Sequence, residues 1–113
     1  MVITSFSSNF HWTLHAKGKM QYYGLSESRV KRVLRNPKRV EEGIAPNTIA
    51  LMQPPSIKRR QGKETWTQEI WVMVVKTPKR TRVISAWRYP GVAPQRNPIP
   101  EEIITDLHRD GLV

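Results

Sequence analysis

Two histidines, two lysines and two tyrosines crowd the stretch from His11 to Tyr23, and all are residue types that move protons or steady charge. At about 100° per residue, a helix beginning near Leu14 gathers Ala16, Met20 and Tyr23 on one apolar strip and sets His15, Lys19 and Tyr22 along its border. A free histidine titrates near about 6.5, so His15 can both take and give a proton near neutrality. RNA cleavage through the 2′-hydroxyl needs such a group, a cation for the charge that develops on phosphate, and a proton for the leaving oxygen. It needs no metal. His15 is therefore the candidate for proton transfer and Lys19 for the cation, with Tyr22 or Tyr89 as proton donor or stacking platform. The structural alternative is a half-buried histidine that packs under a sheet and bonds a backbone carbonyl.

His11 and His15 stand four apart, but Trp12-Thr13 breaks the helix between them and no neighbouring Asp, Glu or Cys completes a ligand set. No metal site is expected, and no cofactor. Ser85 has no Asp–His partnership visible in the sequence, which leaves a serine-hydrolase triad with little support.

Arg29, Lys31, Arg32 and Arg35, followed by Lys38 and Arg39, form a basic run with no acid among residues 28 to 40. Solvated helix faces usually mix signs, so phosphate contact is expected here. Lys58, Arg59 and Arg60, and then Lys76, Lys79, Arg80 and Arg82, extend the footprint if the fold brings them together. Trp12, Trp66, Trp71 and Trp87 all read first as core or half-core residues; Trp87, two residues from Tyr89 and next to Arg88, is the one for which stacking on a base is the alternative.

The whole chain carries 19 Lys and Arg against 9 Asp and Glu over 113 residues, a net charge of +10. Residues 1 to 100 hold 18 bases and 5 acids, whereas residues 101 to 113 hold one base and 4 acids. Such a basic body attracts polyanions, RNA or DNA first among them, with an acidic protein partner as the alternative. The absence of cysteine excludes disulfides and thiolate zinc sites. No apolar run is long enough to span a bilayer, and residues 3 to 8 lack the pattern of a signal peptide, so a cytoplasmic protein without membrane contact is expected.

These side chains need a scaffold, and its punctuation is readable. Phe10-His11-Trp12 reads as a short strand, Thr13 as the cap of a helix over about 14–23, and Gly24 as its left-handed end. Ser26 caps a second helix over about 27–35, with Leu25 stapled onto Val30, and Asn36-Pro37 stops it. The period then shifts to two. Residues 39 to 44 and 47 to 52 read as a hairpin around Ala45-Pro46, residues 53 to 65 as a basic loop, and residues 66 to 77 as a central strand apolar on both faces. Its partner, residues 80 to 89, alternates Val83, Ser85, Trp87 and Tyr89 against Arg82, Ile84, Ala86 and Arg88. Prolines 90, 94, 98 and 100 make an extended tether to a last helix with an Ile103, Ile104 and Leu107 stripe. That helix carries Glu101, Glu102, Asp106 and Asp110, and folding back over the sheet would bury its stripe and mask basic surface. The expected class is α+β: two N-terminal helices packed on an antiparallel sheet of about four strands, with a domain over 1–90 and a Pro-rich arm and helix over 91–113.

The His15-Ala16 pair opening a helix, Lys19 one turn on, Gly24-Leu25-Ser26, Val30-x-x-Val33-Leu34 and Asn36-Pro37 together resemble a family of small prokaryotic and phage domains. That family is grouped with the superfamily of barnase, EndoU, colicin nucleases and RelE-type toxins. The resemblance covers residues 11 to 40 well and the strands up to Pro90 loosely. It implies a ribonuclease-like, toxin-like fold with RNA as substrate and an antitoxin as partner, the helix histidine being His15, its following base Lys19, and the late-strand polar position Ser85 or Tyr89.

Overall fold

The computed structural model describes residues 9–42, 47–93 and 99–112. Strand β1 (Phe10–Trp12) leads into α1 (Leu14–Tyr23) and α2 (Glu27–Arg35); β2 (Arg39–Glu42), β3 (Thr48–Gln53), β4 (Lys58–Arg60), β5 (Lys63–Thr65), β6 (Gln68–Lys76) and β7 (Thr81–Pro90) follow, and α3 (Glu101–Arg109) comes last. The class is α+β. The main sheet has five strands in the order β1-β7-β6-β3-β2, and β4-β5 form a separate two-stranded ribbon.

Both N-terminal helices begin and end where local chemistry dictates. Thr13 Oγ1 accepts the Ala16 N–H at 3.0 Å, and Ser26 Oγ accepts the Arg29 N–H at 3.1 Å. Gly24 closes α1 at φ 67°, a left-handed turn that glycine makes without Cβ strain. Thr13 also ties α1 to the sheet, because its hydroxyl donates to the Ile84 carbonyl at 3.1 Å. From there α1 continues the line of β1 along β7, and Arg88 Nε donates to the Tyr23 carbonyl at 2.7 Å at its far end. The edge of β7 that short β1 leaves uncovered is thus closed by a helix.

The sheet is sandwiched. Ala16, Met20, Val30, Val33 and Leu34 of α1 and α2 pack on Leu51, Ile70, Val72, Val74, Val83 and Ala86 on one face. On the other face Ile103 and Leu107 of α3 pack with Ala50, Met52, Trp71, Met73, Ile84 and Trp87. Each fully buried Val, Leu, Ile or Met among them contributes about 1.5–3 kcal/mol. Strand β6 lies at the centre of the sheet, covered on both faces, as its continuous apolar run requires.

Three expectations are corrected and one alternative is set aside. The sheet is mixed rather than antiparallel, since β1 pairs in parallel with β7, and that pairing brings it to five strands. Residues 53 to 65 are not simply a loop: Arg59 pairs with Glu64 across a tight turn in which Gln61 and Gly62 both have positive φ. In β7 the alternation breaks at a bulge opposite Met73/Val74, so Val83 and Ala86 share the α1–α2 face while Ile84 joins Trp87 beneath α3. Trp87 takes the core position and not the base-stacking role that was its alternative: it is wholly buried and stacks on Trp71 with ring centroids 6.2 Å apart. The tip of the β2–β3 hairpin, residues 94 to 98 of the arm and the Lys76 side chain lie outside the described residues.

A buried carboxylate fastens the α3 face. Glu69, fully buried on β6, accepts bonds from the indoles of Trp66 (2.8 Å) and Trp71 (2.9 Å) and from the Ala93 N–H (3.0 Å), with Arg39 3.7 Å away. Its oxygens are satisfied within the fold, which makes it a structural anchor for the segment leading to α3.

Candidate active site

The parallel register of β1 on β7 sets His11 directly opposite Arg82. Neighbouring strands lie about 4.8 Å apart and directly paired residues share a face, so the two side chains leave the sheet on the same face, and both line one cleft. His11 is exposed and Arg82 half-buried. Thr13 and Leu14 carry the chain over into α1, where His15 follows, and Asp110 and Leu112 beyond α3 close the far wall. The result is a cleft of about 750 Å³ lined by His11, Trp12, His15, Arg82 and Asp110 among others.

His15 sits in this cleft between two protein partners. Its Nδ1 is 3.1 Å from Asp110 Oδ2 and its Nε2 is 3.0 Å from Ser85 Oγ. A carboxylate can only accept, so Nδ1–H donates to Asp110 and, in the neutral ring, Nε2 accepts from the Ser85 hydroxyl. The sequence showed no such Asp–His–Ser relay. Its polarity is the reverse of a hydrolase triad, where the acid is buried and the hydroxyl meets substrate. Here Ser85 is fully buried and the Asp110 side chain is 38% exposed. Ser85 orients the ring from below and cannot reach an acyl group.

Lys19 lies one turn beyond His15 and is bonded to Asp106 at 2.8 Å. That bond holds the lysine above its ordinary pKa and the Asp106 carboxyl below its own. Since His15 meets Asp110, the residue that caps α3, and Lys19 meets Asp106 within it, α1 and α3 run antiparallel, joined by two pairs whose members are four residues apart on each side. The cation at the cleft is thus Arg82, which the sequence marked only as an outlying part of a basic footprint, and the exposed histidine is His11, which it weighed only as a metal ligand. Register was the missing information. Tyr89 lies four strand residues beyond Ser85, about 13 Å along β7, and does not converge with His15.

The basic residues divide between the two ends of the sheet. Arg29 is half-buried and donates to Gln53 Oε1 and, at 3.4 Å, to the Pro54 carbonyl; burial, with Arg32 and Arg88 nearby, disfavours its charge. Arg32 lines a shallow groove with it, and Arg35 is exposed on the next turn. The β4–β5 ribbon joins this group through Glu64, whose carboxylate takes bonds from Lys38 and Arg59 and is held below the usual carboxylate range by them, Lys38 first. Lys58, Arg59 and Arg60 are all exposed there. Lys31 instead lies over the Phe10 ring at 5.1 Å, and Lys79 and Arg80 sit in the β6–β7 turn at the cleft end, where Asn9 Nδ2 donates to the Lys79 carbonyl at 3.3 Å.

Among the described residues no three His, Cys, Asp or Glu converge as metal ligands, and no helix is long and apolar enough to cross a membrane. Comparison of the chain with protein-family models, curated proteins and solved structures found no match in any of the three.

Proposed function

We propose that the protein binds RNA through its phosphates and cleaves it without a metal at the cleft between β1 and the C-terminal end of α3. The observation that carries this reading is the β1–β7 register, which puts exposed His11 opposite Arg82 in one cleft with His15. Arg82 holds the phosphate and steadies the charge that develops on it. His11, open to solvent, takes the proton of the 2′-hydroxyl. As that oxygen bonds to phosphorus the bond to the 5′-oxygen breaks, and the leaving oxygen takes its proton from solvent in the open cleft, while His15, held by Asp110 and Ser85, forms the cleft wall. The reaction class is the one that the resemblance of residues 11 to 40 implies, but the roles fall to His11 and Arg82 in place of His15 and Lys19, and the basic body suits both RNA and an acidic antitoxin-type partner.

Single-turnover cleavage of end-labelled RNA tests this reading. His11→Ala should lose about two to four orders of magnitude in rate while retaining RNA binding, and EDTA should change nothing. Intact RNA after prolonged incubation with excess wild-type protein would remove catalysis from the proposal. A second reading, RNA binding without cleavage, is favoured by one observation: both ring nitrogens of His15 are held and its side chain is only 4% exposed. Salt-dependent RNA binding with no cleavage would select it.

A further inference from the structure

We infer that a second groove beside the cleft, between α1 and α3, is a nucleobase subsite in which a base of the bound RNA stacks on Tyr22 over an open floor at Gly18. The inference rests on the RNA reading above. The groove, of about 290 Å³, is formed by Leu14, Gly18, Lys19 and Tyr22 of α1 and by Asp106 and Arg109 of α3. Leu14 and His15 line both it and the cleft, so one strand of RNA can place a phosphate in the first and a base in the second.

Three features identify the occupant as a base. Leu14 and Tyr22 are 86% and 77% exposed, and with Gly18 they stand at intervals of four, a ridge, a trough and a ridge along one face of α1. Gly18 has no internal reason to be glycine. It sits in mid-helix, where glycine is less favourable than alanine, and a Cβ there would meet nothing within 4 Å. What the missing side chain leaves is space outside the protein, next to an aromatic ring. The third feature is charge: Lys19 is paired with Asp106, and Arg109 with Asp106 (3.1 Å) and Asp110 (3.6 Å), so two cations face two carboxylates. The groove therefore has no surplus charge for a phosphate. A flat, uncharged ring with hydrogen-bonding edges fits it, whereas the phosphate belongs with Arg82.

The experiment titrates a labelled oligoadenylate and, separately, inorganic polyphosphate, which offers phosphates and no bases. Tyr22→Ala should weaken oligoadenylate binding by about 5- to 100-fold and leave polyphosphate binding unchanged, and Tyr22→Trp should restore the former. Gly18→Leu should fill the trough and weaken oligoadenylate binding while raising thermal stability, because leucine is the better helix former. Those opposite signs separate a ligand role from a structural one. Equal losses for both ligands, or none for either, with the wild type still binding RNA, would overturn the subsite and leave the RNA reading standing. A wild type that binds neither ligand at low salt would overturn both. If the protein dimerises and Tyr22→Ala abolishes the dimer without changing oligoadenylate affinity, the groove belongs to a second copy and the inference fails.

Discussion

Thr13 shows how much one side chain can do at the joint between strand and helix. Its hydroxyl accepts from Ala16 N–H, which caps α1, and donates to the Ile84 carbonyl, which fixes that helix to β7 beside the bulge. Thr13→Ala should therefore cost about 1–2 kcal/mol in thermal or urea denaturation, and Thr13→Ser should recover most of it. Unchanged stability in the alanine variant would show that the cap contributes nothing. Half of this role was legible in the sequence. A cap is local, so Thr13, Ser26 and Gly24 announced their helix ends, whereas the bond to Ile84 spans 71 positions and depends on how β7 pairs. The same limit hid the partners of His15, which lie 70 and 95 positions away. Trp87 was legible as a core residue but on the wrong face for a related reason: strict alternation groups it with Val83, and the bulge reverses that grouping.

At the scale of elements, α3 is joined to the fold by both packing and charge. Ile103 and Leu107 are fully buried against the tryptophan-rich face, so Leu107→Ala should cost about 2–5 kcal/mol, read by urea denaturation. The charge contribution has a defined pH window. Asp106 is held below its ordinary 3.8 by the bond from Lys19, so its contribution is complete above that value and is lost as pH falls through the lower folded-state value. Lys19 is held above 10.5 by the same bond, so its contribution is complete below 10.5 and is lost as pH rises through the higher folded-state value. Asp106→Asn should accordingly be less stable than wild type near about pH 7, and the difference should shrink toward about pH 2. A difference independent of pH would mean that the pair is not what docks the helix. The signal for this docking was present in the sequence, since His15 and Lys19 stand four apart and so do Asp106 and Asp110 with opposite sign. The β4–β5 ribbon gave no comparable signal, because short runs of lysine and arginine have no hydrophobic period.

Across the whole molecule, basic residues stand at both ends of one sheet, and the proposed chemistry at one of them. Strand β6 spans nine residues, about 30 Å. At one end Gln53 and Ile70 pair beside α2 and the β4–β5 ribbon; at the other, β1 meets Thr81 and the cleft opens. On the proposed function, an RNA bound by the ribbon runs along the body to reach His11 and Arg82, so the ribbon is expected to contribute to affinity and not to the chemical step. Lys58 and Arg60 are exposed on a ribbon whose Glu64 takes bonds from Arg59 within it and from Lys38 between α2 and β2, so replacing both with alanine removes charge while sparing that anchor. The double variant should bind single-stranded RNA more weakly across sequences. Its plot of log affinity against log salt should be shallower by about 1.4, because each lost phosphate contact on a single strand removes about 0.7 from the slope. Single-turnover cleavage at saturating protein should proceed at the wild-type rate, since no group at the cleft has changed. If the slope is unaltered, the ribbon does not touch the phosphates. If the saturated rate falls instead, the two ends of the sheet are not separate, and the division of labour argued from the strand register is wrong.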